Sequence, residues 1–309
     1  MKERLIGFLL FMSALVSIAS LAVITFFIFE AGLPLIFRVG IGNFLQNSIW
    51  QPSGKTPQFG IAAMILGSVW VTLGAIMIGV PLGLAVAIFS AELAPPWLAA
   101  VIRPVLQLLA GIPSVIYGFI GLTILAPVVR AAFGGPGLSV VTAALILGIM
   151  ILPSIVSISE DALRAVPRAY RDGALAVGAT QWQTIWRVLV PAARSGIVAS
   201  IILGMGRALG ETMAVIMMLG NALQVPRSPL DSATTLTSNI GLELAYASGQ
   251  HREALFATGV VLFVLIMILN LLANVFTGRL VLWRSRAPSL STMRTLWRNR
   301  VPASDRRSS

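Results

Sequence analysis

Six apolar stretches dominate the chain, at residues 5–29, 60–89, 104–129, 138–159, 192–219 and 254–278. Each is long enough to cross a bilayer core about 30 Å thick, which takes roughly 20 helical residues. Lipid offers the backbone no hydrogen-bond partner, so a spanning segment is either a helix or part of a closed barrel. Barrel strands are about ten residues long and alternate apolar with polar; these stretches are longer and continuous. The expectation is an all-α integral membrane protein with six transmembrane helices. Composition agrees: 57% of the 309 residues are hydrophobic and 11% are charged, against about 25% charged in an average soluble domain. The first stretch follows Lys2 and Arg4 and contains Ser17-Ile18-Ala19, as a cleavable leader could. Its apolar run continues to Phe29, beyond the roughly 7–15 residues of a leader's core. We read it as an uncleaved first helix.

Charge gives the orientation. With the N-terminus in the cytoplasm, 16 of the 22 Lys and Arg residues fall on the inner side and 5 on the outer, with Arg207 inside a span. That excess places both termini of a multi-pass membrane protein in the cytoplasm. The net charge of +11 fits this topology and anionic lipid better than nucleic acid. The chain divides into a first helix with a long outer loop (1–59), a core (60–280) with a cytoplasmic segment at 160–190, and a basic tail (281–309). The tail is expected to be disordered or bound to the membrane surface. A second long outer loop covers 220–253.

The cytoplasmic segment between spans four and five is the most patterned stretch. Pro167 suits the start of a helix. Gly178 suits a left-handed cap after it. Thr180 with Gln183 three residues on makes a capping box for a second short helix, and Pro191 marks the entry to span five. Trp182, Ile185 and Trp186 form an apolar patch at helical spacing. An amphipathic loop lying on the membrane would also satisfy this pattern.

Asp172-Gly173-Ala174, then three residues, Gly178, nine residues, and Val188-x-Val190-Pro191 resembles the EAA loop of ABC importer permeases. That family's pattern is Glu-Ala-Ala, three residues, Gly, nine residues and Ile-x-Leu-Pro. Asp here replaces Glu, Gly replaces the first Ala, and Val stands at both aliphatic positions. Four further segments are similar to the phosphate-specific (Pst) importer permeases. They are Leu109-Ala-Gly-Ile-Pro-Ser-Val-Ile-Tyr-Gly-Phe119, Gly148-Ile-Met-Ile-Leu-Pro153, Ser159-Glu-Asp-Ala-Leu-Arg-Ala-Val-Pro167 and Gly206-Arg-Ala-Leu-Gly-Glu-Thr-Met-Ala-Val215. The Gly220-Asn221 pair, Trp50-Gln-Pro52 and Phe59-Gly60 look like the PstC type. The resemblance covers roughly residues 40–280. It implies a MetI-like permease fold of five core helices plus an added first helix. It also implies that Asp172, Gly173, Ala174, Gly178 and Pro191 belong to a coupling loop that docks on an ATPase. The implied partners are a second, PstA-like permease, a PstB-like ATPase dimer and an extracytoplasmic, PstS-like phosphate-binding protein.

Two charges lie deep in span five. Each costs at least about 2.5–3.5 kcal/mol to insert. Arg207 and Glu211 are four residues apart and share a face if the helix is continuous. At 100° per residue, Ser200, Arg207, Glu211, Met218 and Asn221 fall on one stripe, too polar for lipid. Two readings stand: a neutralised ion pair that locks the bundle, or a substrate pathway in which Arg207 attracts an oxyanion and Glu211 helps release it. Arg suits phosphate because its planar fork donates paired hydrogen bonds. Elsewhere, Arg103, Glu92, Glu160 and Asp161 read as interfacial, and His251 as a solvated loop residue. Gly79 with Gly83, and Gly206 with Gly210, read as close helix packing. Pro81, Pro113 and Pro153 read as packing kinks.

With no Cys and one His, thiolate metal sites, Cys nucleophiles and paired imidazoles are excluded. No metal site and no cofactor of its own are expected. No Walker A sequence occurs, so ATP must be hydrolysed by a partner. The expectation is a non-enzymatic permease subunit of an ATP-driven phosphate importer. The alternatives are a permease for another oxyanion, the PstA-like partner itself or, outside the class, a membrane scaffold or sensor.

Overall fold

The computed structural model describes residues 2–53 and 56–284, with side chains placed between 5 and 271. From residue 285 onward, the expected basic tail lies outside the described residues. In chain order the elements are α1 (Lys2–Val39), α2 (Ile41–Gln46), β1 (Trp50–Gln51), β2 (Gln58–Phe59), α3 (Ala62–Ile88), α4 (Pro96–Gly111) and α5 (Ser114–Ile120). They continue as α6 (Ala126–Phe133), α7 (Val140–Arg164), α8 (Arg168–Ala176), α9 (Gln181–Thr184), α10 (Val190–Gly210), α11 (Met213–Met218), α12 (Leu236–Glu243) and α13 (Gly249–Arg284). Wide π turns at Phe89–Leu93, Gly121–Leu125 and Ile185–Leu189 extend α3, α5 and α9 at their C-terminal ends.

Six helical runs are long and apolar enough to cross a membrane, as expected: Leu5–Val39, Ala62–Leu93, Ser114–Phe133, Val140–Arg164, Gln181–Gly210 and Gly249–Leu271. Three boundaries differ from the sequence reading. The stretch 104–129 is broken at Ile112-Pro113, where both residues are extended. Proline pushes the residue before it out of helical conformation, so α4 is a separate short helix and the third span starts at Ser114. Tyr117 bridges the break by donating to the Leu109 carbonyl at 2.8 Å. The second short helix at Thr180 is instead the start of span five, because the π turn at Ile185–Leu189 leads directly into Pro191 near the start of α10. A proline ring in a regular helix would meet the carbonyl four residues earlier; the wider turn lets the helix pass. At the other end, span five stops at Gly210, where Glu211 is extended (φ −70°, ψ 127°), and resumes as α11.

α7 is the most buried span and packs between α3 and α10. In lipid such packing depends on close contact more than on hydrophobicity, which favours small residues. Gly79 and Gly83 of α3 face Ile151 and Ile155 of α7. A Cβ on Gly79 would lie 2.7 Å from Ile151 Cδ1 and 2.9 Å from the Gly148 carbonyl. Gly206 and Gly210 do not pack this way, since among the described residues no other element lies within 4 Å of where their Cβ atoms would be. Between α7 and α10, the Ser159 and Ser200 hydroxyls are fully buried and 2.8 Å apart.

At one end of the bundle, β1 and β2 pair antiparallel, with Trp50 opposite Phe59. The segment 220–253 is not an open loop there. It carries α12 inward, with Leu236, Thr237, Ser238 and Asn239 buried and the Leu236 amide donating to Ser68 Oγ of α3 at 3.0 Å. At the opposite end α8 lies outside the bundle with no buried side chain. α1 packs its second half on α13 through edge-on Phe27–Phe256 and Phe29–Phe263 pairs; residues 5–24 are exposed, a surface left for lipid.

Candidate anion site and docking surface

Arg207 sits three residues before the break in span five and is exposed. Its Nη1 lies 3.5 Å from Ser154 Oγ of α7. Ser154 is ten residues from the Arg164 end of α7, about 15 Å at 1.5 Å per residue, half of a bilayer core. The guanidinium is therefore near the middle of α7 along its length. It borders an open cavity of about 690 Å³ whose wall includes Ser154, Leu203, Gly206 and Asn270 of α13. Among the described residues Arg207 forms no ion pair.

The expected stripe is not one face. Glu211 lies beyond the end of α10, so 100° per residue no longer relates it to Arg207. Its Oε1 accepts the Ala214 amide at 3.2 Å, which caps the exposed start of α11. Its carbonyl accepts from Thr237 Oγ1 at 2.9 Å, tying the break to α12. The neutralised Arg207–Glu211 pair is thus not formed. Ser200 is turned into the α7 contact, while the long side chain of Arg207 reaches out from the same helix. Met218 is buried in the main apolar core. Asn221, left-handed at φ 53° after Gly220 at φ 83°, donates through Nδ2 to the Ile216 carbonyl at 2.8 Å and closes α11. Of the four expected pathway residues, Arg207 is the exposed one and borders the open cavity; Glu211 and Asn221 are half-buried and Ser200 is buried.

The second candidate surface is α8 with the turn after it. Gly178 is left-handed at φ 86°, and Thr180 and Gln183 form both bonds of the capping box, as expected. Asp172, Gly173, Gly178 and Pro191 are exposed and Ala174 is half-buried. Gly173 and Gly178 have nothing near their Cβ positions. The apolar patch loses one member: Ile185 is buried with Ile88, Leu163 and Leu189. Trp182 and Trp186 remain exposed and meet edge to face.

What the sequence reading missed is how α8 is held. Arg171 pairs with Glu92 of the π turn after α3, whose side chain is 5% exposed. Gln181 Nε2 donates to the Glu92 carbonyl at 3.4 Å, and Arg164 Nη2 to the Ser90 carbonyl at 2.9 Å. Glu160, 2% exposed, accepts from Arg164 Nε at 2.9 Å and lies 3.1 Å from Arg103 of α4. Glu92 and Glu160 are therefore buried struts rather than interfacial charges. Such partners are far apart in sequence, so spacing gives no sign of them. Nor is His251 a solvated loop residue: its Nε2 lies 2.7 Å from Glu243 Oε2 and the side chain is 10% exposed. The same carboxylate accepts from Trp50 Nε1 at 2.9 Å and Asn239 Nδ2 at 3.1 Å. Among the described residues no group of three or more His, Asp or Glu side chains is placed to hold a metal ion.

A broken fifth span, an exposed helix at one end and a guanidinium midway along the helices, bordering an open cavity, fit a membrane transport component. The chain belongs to the family described as binding-protein-dependent transport system inner membrane component, whose model matches residues 79–282. Among relatives, it is 42% identical over 271 residues to the probable ABC transporter permease protein YqgH of Bacillus subtilis, covering 86% of this chain and 88% of that one. It is 39% identical over 259 residues to the phosphate transport system permease protein PstC of Mesorhizobium japonicum, covering 77% and 79%. Its fold is similar to a chain of the MetNI methionine ABC transporter (TM-score 0.57, 18% identity, 71% of this chain and 95% of that one). It is also similar to a chain of the bacterial alginate ABC transporter in complex with its substrate-bound periplasmic protein (TM-score 0.56, 18% identity, 86% and 94%). These likenesses bear out the permease fold expected from the sequence.

Proposed function

We propose that this chain is a non-enzymatic permease subunit of an ATP-driven phosphate importer, forming the translocation pathway with a second, PstA-like permease. The substrate class is supported by the PstC relatives. The observation that carries the mechanism is Arg207: an exposed guanidinium midway along the spans, bordering an open cavity and, among the described residues, holding no ion pair. A bare charge there costs at least about 2.5–3.5 kcal/mol, a cost that a second subunit and a hydrated anion between the two subunits would offset. Gly206 and Gly210, open on the same stretch of helix, allow the second subunit's backbone to approach closely.

In this reading α8 and the exposed Trp182–Trp186 pair dock on a PstB-like ATPase dimer in the cytoplasm. Asp172, Gly173, Ala174 and Gly178 leave room for its surface. ATP binds there, and no cofactor binds this chain. The β1–β2 hairpin and α12 face a PstS-like phosphate-binding protein outside. The basic-residue bias supports this orientation, with both termini inside. Closure of the ATPase pulls α8, and the Glu92 and Glu160 struts carry that displacement into α3, α4 and α7.

The test is ATP-dependent phosphate uptake by the reconstituted complex, with sulfate in competition, comparing wild type with Arg207→Gln. Loss of uptake in a complex that still assembles and hydrolyses ATP is expected. Uptake near the wild-type rate would remove the anion role. Equal competition by sulfate would shift the substrate to oxyanions in general.

A further inference from the structure

A cavity of about 360 Å³ lies between α4 and α7, lined by Arg103, Gln107, Ser154, Ser157, Glu160 and Asp161 among others. Its walls are mixed, with Leu106, Ala110 and Pro153 between the polar side chains, but those polar side chains form a row on each helix. Ser154, Ser157 and Asp161 recur at three- and four-residue spacing on α7, as Arg103 and Gln107 do at four on α4, so each set occupies one face of its helix. The rows lead from Arg207, 3.5 Å from Ser154, toward the end of the bundle that carries α8. At that end is a second guanidinium, Arg103.

The ion pairs at Arg103 are unequal. Glu160 is buried and committed, taking Arg103 at 3.1 Å and Arg164 at 2.9 Å. Asp161 is 71% exposed and 3.7 Å from Arg103. An exposed pair of that kind contributes roughly 0–1 kcal/mol, so a doubly charged oxyanion can displace it. Arg103, itself half exposed, is held in orientation by one carboxylate and screened by another that is easily moved aside.

We infer that Arg103, with Gln107, Ser154 and Ser157, forms a second oxyanion subsite, on the exit side of Arg207. Passage requires sites weak enough to leave, and two moderate sites in series satisfy this better than one strong one. The anion moves from Arg207 along the serine row and leaves past Arg103, where Asp161 closes behind it. This deepens the phosphate-pathway reading and rests on it.

The chain contains no cysteine, so Ser157→Cys places a single thiol of this subunit inside the groove, with Ser154→Cys as a second position. In the assembled complex, the rate of thiol labelling by a methanethiosulfonate reagent is measured with and without inorganic phosphate on the α8 side, with chloride as control. Phosphate is expected to slow labelling at both positions. In the Arg103→Gln background, about ten-fold more phosphate is expected for the same protection, the loss of one charge-assisted contact. Arg103→Gln with Glu160→Gln, which also removes the buried carboxylate that Arg103 had shared with Arg164, is expected to stay equally insensitive. Absence of protection, equal protection without Arg103, or protection restored in the double variant each overturns the subsite. Arg207→Gln separates the two proposals: normal uptake in that variant removes the central site, while phosphate protection at Ser157 still reports on Arg103.

Discussion

Arg207 Nη1 and Ser154 Oγ meet at 3.5 Å across the α10–α7 contact, at the point where the two cavities share a wall. The bond is long and off the optimum for a guanidinium, so Ser154 steers Arg207 without neutralising it. Ser154→Ala is therefore expected to keep most phosphate uptake, within a few-fold of wild type. Arg207→Lys, which keeps the charge but loses the planar fork, is expected to fall about ten-fold or more. Initial uptake rates in proteoliposomes check both.

Glu92 is a buried carboxylate with Arg171 as partner, and it joins α8 to the end of span two. Glu92→Gln is expected to leave ATPase binding intact, because α8 keeps its exposed face. Uptake per ATP hydrolysed is expected to drop, because displacement of α8 no longer reaches α3. The ratio of the two rates in one reconstituted preparation decides it; an unchanged ratio contradicts the strut.

Gly178 holds a left-handed backbone, which costs a residue with a Cβ about 1–2 kcal/mol, and no neighbour obstructs the site. Gly178→Ala is expected to weaken ATPase co-purification without lowering the yield of the membrane subunit. Thr180→Ala removes an N-cap bond worth about 1 kcal/mol and should act in the same direction more weakly. Quantitative pull-down with the ATPase checks both.

Glu243 collects Trp50, Asn239 and His251 into one cluster, joining the segment after α1 to α12 and the start of α13. Glu243→Ala strands three buried donors. Each hydrogen bond to a charged group contributes about 1.5–3 kcal/mol. The variant is expected to lower the thermal unfolding midpoint of the purified complex, and Trp50→Phe to lower it less. An unshifted midpoint in Glu243→Ala contradicts the clasp.

Ser159 and Ser200 share a buried hydroxyl contact between α7 and α10. Removing one partner leaves a buried polar group underused, whereas removing both can be close to neutral. Ser200 Oγ already donates to the Ile197 carbonyl at 2.7 Å, so Ser159 is the donor in this contact, and Ser200→Ala is expected to destabilise the chain more than the Ser159→Ala, Ser200→Ala double variant does. A thermal-unfolding double-mutant cycle checks the order.

The chain's own sequence determined the number of spans, their helical nature, the Gly178 turn and the Thr180 capping box. Those depend on apolar length, on backbone hydrogen bonding in lipid and on residues within one turn of each other. It located Arg207 as an intramembrane charge for the same reason. Only the tertiary structure decided that span three begins after Pro113 and that Glu211 caps α11 rather than pairing with Arg207. It alone decided that Ser200 turns inward, that Glu160 and Glu92 are buried, and that His251 meets Trp50 through Glu243. A break in a helix cancels the angular rule that relates residues on either side. Partners such as Arg171 and Glu92, or Trp50 and Glu243, are brought together by packing between helices, which no local spacing encodes.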